Sequence, residues 1–185
     1  MRLFIGVSLP NHVTDVIDSF KEAYVQYDLD KLEARWVPKN NFHITLLFLG
    51  EADSYKLDQV LEVVEKVAKN LNSFQAKTGG LTILSNFKYP KVLALEIKEN
   101  KNLSALQKAL LDEFNKKDYV FENKKFVPHI TLGRFKRRVR DLKSTLKELR
   151  EPPEQEFEIS SFEVLETSYS NGEIKYLLHK RIKFG

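Results

Sequence analysis

The tetrapeptide His-Ile-Thr-Leu occurs twice in this chain, beginning at His43 and at His129, an offset of 86 (129 minus 43). No other feature restricts the fold as strongly, because the elements around the two copies also recur in the same order. An apolar run at 3–9 reads as a strand. A helix follows from Asn11 as N-cap, with Val13, Val16, Ile17, Phe20, Ala23, Tyr24 and Tyr27 at helical spacing. After a break at Trp36-Val37-Pro38, residues 42–49 read as a strand ended by Gly50. A second helix carries Leu57, Val60, Leu61, Val64, Val67, Ala68 and Leu71, capped by Asp53 or Ser54. The strand at 74–84 contains Gly79-Gly80, a bulge or kink signal.

The series then starts again, with a strand at 92–97 and a helix beginning near Asn102 and carrying Leu103, Leu106, Leu110, Leu111 and Phe114. A strand at 126–135 holds the second tetrapeptide. A short helix over Leu142, Leu146 and Leu149 stops before Pro152-Pro153. Strands at 157–166 and 175–184 close the chain across a turn at Asn171-Gly172. Corresponding elements are displaced by roughly 83–90 residues, the mark of an internal repeat. The expected architecture is α+β: two lobes with pseudo-two-fold symmetry, helices on their outer faces, and the equivalent strands meeting at a central cleft. No linker composition divides the repeat, so residues 1–185 read as one bilobal domain with halves at roughly 1–90 and 91–185.

Composition narrows the chemistry. With 185 residues, 42% of them hydrophobic and 30% charged, the chain can bury a core. It has no Cys, which excludes disulfides, thiolate metal sites and cysteine nucleophiles. No uncharged stretch approaches the ~20 residues of a membrane span, and the apolar run at the N-terminus, closed by Pro10, is too short to be expected as the core of a signal sequence. A cytoplasmic protein is the expectation. The formal charge is +4, and the excess is local: 134–143 holds six cations and one anion, whereas 151–158 is acidic. A basic run of this kind, including Arg134, Lys136 and Arg140, can attract a phosphate backbone, although a solvated surface has the same composition.

Side chains alternate faces along a strand. His43 and Thr45 therefore share one face, as do His129 and Thr131, with Ile44, Leu46, Ile130 and Leu132 on the other. A single His-x-Thr says little; its duplication in matching context points to a site. His12, in the first turn of a surface helix, and His179, on the terminal strand, lack such a context and read as structural histidines with a satisfied hydrogen bond. Two histidines without carboxylates at ligand spacing make a poor zinc site, so no metal is expected. No Gly-x-Ser-x-Gly elbow is present. Two imidazoles and two hydroxyls suit phosphoryl chemistry without metal or cofactor. One imidazole takes a proton from water, the other gives one to the leaving oxygen, and the hydroxyls hold the phosphate. A pKa near 6.5 lets both protonation states coexist around neutrality. A strained cyclic phosphodiester suits a leaving group assisted by histidine alone.

The sequence resembles the two-histidine phosphoesterases, and within them the RNA 2′,3′-cyclic phosphodiesterases also called 2′-5′ RNA ligases. The resemblance runs nearly full length. It includes the opening MRLFIGVSLP, Arg35-Trp36-Val37-Pro38 leading to Phe42 and the first tetrapeptide through Gly50, residues 126–134, and a C-terminal strand with Tyr176. It implies a bilobal fold with two antiparallel-rich sheets and a groove between lobes. It further implies hydrolysis of RNA 2′,3′-cyclic phosphate ends, as in tRNA processing, to 2′-phosphates, with His43 as proton donor and His129 as acceptor. Non-catalytic nucleotide binding, a small cyclic nucleotide substrate and 2′-5′ ligation stay open. Arg134 lies five residues past His129, on the opposite face by strict alternation, but a bulge at Gly133 would turn it toward the phosphate. Phe48 holds the matching place in the first copy. Trp36, Phe87 and Tyr176 are candidates to stack a terminal base. The implied partner is RNA; no membrane is involved, and the chain is expected to act as a monomer.

Overall fold

The computed structural model describes residues 1–27, 34–85, 90–117, 119, 125–136, 147, 151–170 and 173–185. Within them the order is β1 (Arg2–Ser8), α1 (Asn11–Tyr27), β2 (Ala34–Trp36), a 3-10 turn (Lys39–Asn41), β3 (His43–Glu51) and α2 (Ser54–Ala68). Then come β4 (Phe74–Ser85), β5 (Pro90–Ile97), α3 (Lys101–Asn115), β6 (His129–Phe135), β7 (Glu156–Ile159), β8 (Ser161–Ser170) and β9 (Glu173–Lys183). The short helix expected over 142–149, the turn at Asn171-Gly172 and Phe87 lie outside the described residues.

Local chemistry sets the helix starts. Asp53 Oδ1 accepts from Lys56 N at 2.8 Å and caps α2. Asn100, not the expected Asn102 region, caps α3 by accepting from Leu103 N at 2.9 Å. In α1 the Pro10 carbonyl accepts from Val13 and Thr14, so Asn11 is the first helical residue rather than the cap. Leu103, Leu106, Leu110 and Phe114 are fully buried along one stripe of α3, each contributing on the order of 2 kcal/mol. No helix among the described residues is long and apolar enough to cross a membrane.

All ladders are antiparallel, and the strands follow the order β7-β4-β5-β6-β3-β1-β8-β9, with β2 added to β6. The two expected sheets are thus joined edge to edge. Their junction is a single bridged pair, Ile44 with Ile130, between the strands that carry the two tetrapeptides. Outward from this seam the order is mirrored: β6 matches β3, β5 matches β1, and β4 matches β8. The sheets do not coincide with the halves of the chain. β4, from the first half, lies beside β5, while β8, from the second, lies beside β1.

One expected strand, 157–166, is two. Phe157 and Ile159 are buried, and so are Phe162 and Val164. The inward parity slips at Ser160, where the chain leaves β4 and crosses to β1. The kink expected at Gly79-Gly80 is a register shift in the β4–β5 ladder between Thr78 and Leu81. The strand expected at 126–135 begins only at His129, and Ala34–Trp36, not expected as a strand and ending in the first residue of the expected break, pairs with β6. The helices cover one face of the sheet, where Leu3, Ile5, Val7, Ile44, Leu46, Ile130 and Leu132 join the core with Val13, Ile17 and the α2 and α3 stripes. The opposite face carries the histidines.

Candidate active site

Antiparallel pairing of Ile44 with Ile130 fixes what lies on either side of it. His43 is opposite Thr131, and Thr45 is opposite His129, all four on the face away from the helices. The repeat thus places two imidazole–hydroxyl pairs, related by the pseudo-two-fold axis, around one point of the sheet. All four side chains are partly buried.

The backbone fixes both imidazoles the same way. Nδ1 of His43 lies 2.8 Å from the Asn41 carbonyl, and Nδ1 of His129 lies 2.7 Å from the Val127 carbonyl. A carbonyl only accepts, so Nδ1 carries the hydrogen in both rings and Nε2 is left for chemistry. Asn41 is itself held by its side-chain amide, which donates to the Ile174 carbonyl at 2.7 Å. The surroundings then differ. Nε2 of His43 lies 2.9 Å from Thr45 Oγ1, whereas no side chain among the described residues caps Nε2 of His129.

His43 also rests in an aromatic wall. Phe4 and Tyr176 approach it at ring centroid distances of 5.1 and 4.9 Å, and Phe4 also touches Phe48 at 6.1 Å. A carboxylate stands two strands away. Glu163, buried on β8, accepts from the Ser8 hydroxyl and from Arg181 Nε at 2.6 Å. Ser8 is the residue paired with His43 across β1 and β3, and Gly6 is paired with Glu163.

Burial lowers the proton affinity of both histidines below the usual value. At His43 the Asn41 carbonyl opposes burial, His129 and Arg134 add to the lowering, and Glu163 raises. At His129 the Val127 carbonyl opposes and Arg134 adds to the lowering. The Tyr176 hydroxyl is pushed up, first by burial.

Arg134 lies on the histidine face. The β5–β6 ladder pairs Ala94 with Thr131 but Leu93 with Gly133, so Leu132 is an extra residue and the alternation after it is reset. The bulge thus falls one residue before the glycine where it was expected. The first copy repeats it: Gly6 pairs with Thr45 and Ile5 with Leu47, leaving Leu46 extra and turning Phe48, 66% exposed, onto the same face. Gly133 has a separate role, since a Cβ there would lie 2.9 Å from Trp36 Cε3. Trp36, read as a possible stacking platform, packs over this glycine and against the core. Tyr176 stands at the site as the wall behind His43. Lys136 is exposed just beyond β6, and the basic stretch 137–140 lies outside the described residues.

Residue-by-residue reading missed Phe4 and Glu163. They look like one more apolar and one more polar position in alternating strands. A cavity of about 590 Å³ between α2 and α3, lined by Leu71, Phe74, Leu106 and Ala109, contains none of these groups. Among the described residues, no group of three or more His, Cys, Asp or Glu could hold a metal ion.

The paired sheets and the imidazole–hydroxyl seam define a two-histidine phosphoesterase architecture. The chain belongs to the 2′-5′ RNA ligase superfamily, whose family model matches residues 9–171. It is 31% identical over 136 residues to an RNA 2′,3′-cyclic phosphodiesterase of Thermotoga maritima, covering 74% of this chain and 71% of that one. To the protein of the same name in Methanothermobacter thermautotrophicus it is 31% identical over 180 residues, 94% and 91% of the two chains. Among solved structures, TT0787 of Thermus thermophilus superimposes with a TM-score of 0.81 at 22% identity, covering 100% of this chain and 98% of that one. LigT of E. coli complexed with 3′-AMP also gives 0.81, at 20% identity, covering 99% and 97%.

Proposed function

We propose that this protein hydrolyses 2′,3′-cyclic phosphate ends of RNA to 2′-phosphate ends, with its two histidines as general base and general acid and without a metal ion. The observation that carries the reading is the Ile44–Ile130 register, which sets His43, Thr45, His129 and Thr131 on one face around one point. Relatives 31% identical to this chain over the aligned residues bear the name of that activity.

The asymmetry of the site supports a division of roles. Among the described residues no side chain caps Nε2 of His129, which takes the proton of the attacking water. His43, in the role the family resemblance implies, gives a proton to the 3′-oxygen; burial lowers its proton affinity, and the Glu163 carboxylate opposes that only in part. A P–O bond forms to water, the bond from phosphorus to O3′ breaks, and a 2′-phosphomonoester and a free 3′-hydroxyl result. The Thr45 and Thr131 hydroxyls and the Arg134 guanidinium hold the non-bridging oxygens as they gain charge. Phe48, exposed on the same face, offers a ring to the terminal base. With an RNA 5′-hydroxyl in place of water, the same two groups form a 2′-5′ linkage.

The test is an oligonucleotide ending in 2′,3′-cyclic phosphate, assayed in excess EDTA, with the position of the product phosphate determined. Turnover to a 2′-phosphate is expected. His43→Ala and His129→Ala should each lower kcat by about 10²- to 10⁴-fold. Full activity of either variant, or abolition by the chelator, would overturn the mechanism.

A further inference from the structure

Two cations of the histidine face stand opposite each other at one end of the seam. β2 continues the line of β3 along β6, and its register pairs Arg35 with Arg134 directly. Residues opposite one another on adjacent strands project from the same face. The bulge at Leu132 brings Arg134 to the histidine face, so Arg35 projects there as well. Both are exposed, and Lys136 follows on the same side of β6.

Two guanidinium groups set opposite each other repel, and like charges in this arrangement destabilise a sheet. Elsewhere in this fold strand cations stand opposite carboxylates: Lys77 opposite Glu156 and Arg181 opposite Glu163. Neither Arg35 nor Arg134 has an ion-pair partner among the described residues. An external anion would satisfy both. Arg134 is close enough to the imidazoles for its charge to be felt by His43, by His129 and by Tyr176. That places it beside the reacting phosphate. Arg35 lies on the adjacent strand, about 5 Å away across the ladder.

We propose that Arg35, set beside Arg134, binds the phosphodiester that precedes the terminal nucleotide, and so makes the site prefer an RNA strand to a cyclic mononucleotide. This rests on the phosphodiesterase reading above and adds its substrate class. Guanidinium is suited to the task because its planar fork meets two phosphate oxygens at once. β2, only three residues long, is held by its ladder to β6 and by Val37 N donating to the Leu132 carbonyl at 2.8 Å. The arginine is thereby fixed relative to the catalytic strand.

The test compares the wild type, Arg35→Ala and Arg35→Lys on two substrates: a 2′,3′-cyclic mononucleotide, and a trinucleotide with the same end. The ratio of kcat/KM, trinucleotide over mononucleotide, should fall about tenfold in Arg35→Ala, the loss of one charge-assisted contact. It should be partly restored in Arg35→Lys. Binding of a fluorescent trinucleotide ending in 2′-phosphate should weaken by a similar factor, with the slope of log affinity against log salt reduced by about one. An unchanged ratio and unchanged trinucleotide affinity would overturn the proposal. The binding measurement reads Arg35 whether or not chemistry occurs, so absent wild-type turnover would refute the phosphodiesterase reading separately.

Discussion

Replacing Gly6 with alanine adds one methyl group beneath the His43 imidazole. Gly6 is opposite Thr45 on β1, and a Cβ there would lie 3.2 Å from the Ile44 carbonyl oxygen, 3.3 Å from His43 Cδ2 and 3.4 Å from Phe4 Cε2. Carbon atoms are comfortable at about 3.5–4.0 Å, so something must give by a few tenths of an ångström. Ile44 is fully buried and its backbone holds the seam. Phe4 is buried between Phe48 and Tyr176. The imidazole, partly exposed, is the group able to move, and it swings toward solvent at the expense of its bond to the Asn41 carbonyl. Overpacking of this size costs about 1 kcal/mol, the low end of its usual range, and lowers Tm by about 2–4 °C in a chain this long. A catalytic group misplaced by ~1 Å can lose about 10²-fold, so a displacement of a few tenths is expected to lower kcat about tenfold. Gly133→Ala is the control. Its methyl would meet Trp36 at 2.9 Å, a harder clash, but away from the imidazoles. Measured by thermal unfolding and by turnover of a cyclic mononucleotide, Gly133→Ala should lose more Tm and Gly6→Ala more kcat. A Gly6→Ala enzyme with wild-type kcat, or the reverse ordering, would refute the reasoning.

Three further outcomes are expected. His43 and His129 both bind protons less readily in the folded state than the ordinary 6.5 of the unfolded chain, so the unfolded state takes up protons first as pH falls. Their contribution to stability is full above about pH 6.5 and declines below it; denaturant midpoints at pH 7.5 and 5.5 should show a fall that a His43→Ala, His129→Ala double variant reduces. Glu163→Gln removes the carboxylate that favours the His43 imidazolium, and should move the limb of the pH–rate profile set by His43 to lower pH; a pure stability loss would leave the profile in place. Asn100→Ala removes the cap of α3 and a bond to the Gln75 carbonyl; about 1 kcal/mol should be lost, visible in Tm and not in kcat.

Much of the candidate site was legible because its signals are periodic. Alternation at His43, Ile44, Thr45 and Leu46 separates chemical from core positions, and duplication at His129 makes a packing origin improbable. Three things were hidden. The phase of the face beyond each tetrapeptide depends on the extra residues Leu46 and Leu132, which give Phe48 and Arg134 their direction. Bulges arise from the register of two strands, and neither strand carries that register alone. β2 was hidden because three residues beside Pro38 cannot show a strand pattern until β6 supplies its partner. The break at Ser160 was visible only as a slip of parity between Ile159 and Phe162.

From the one-dimensional pattern come the repeat, the helix stripes and the identity of the four central side chains, since hydrophobic spacing is a property of neighbours along the chain. Pairing across the chain decided the rest: which sheet each half completes, which imidazole receives the Glu163 carboxylate, and that Arg35 stands against Arg134. These depend on contacts between distant residues, and distance through space is fixed only once the strands have found their partners.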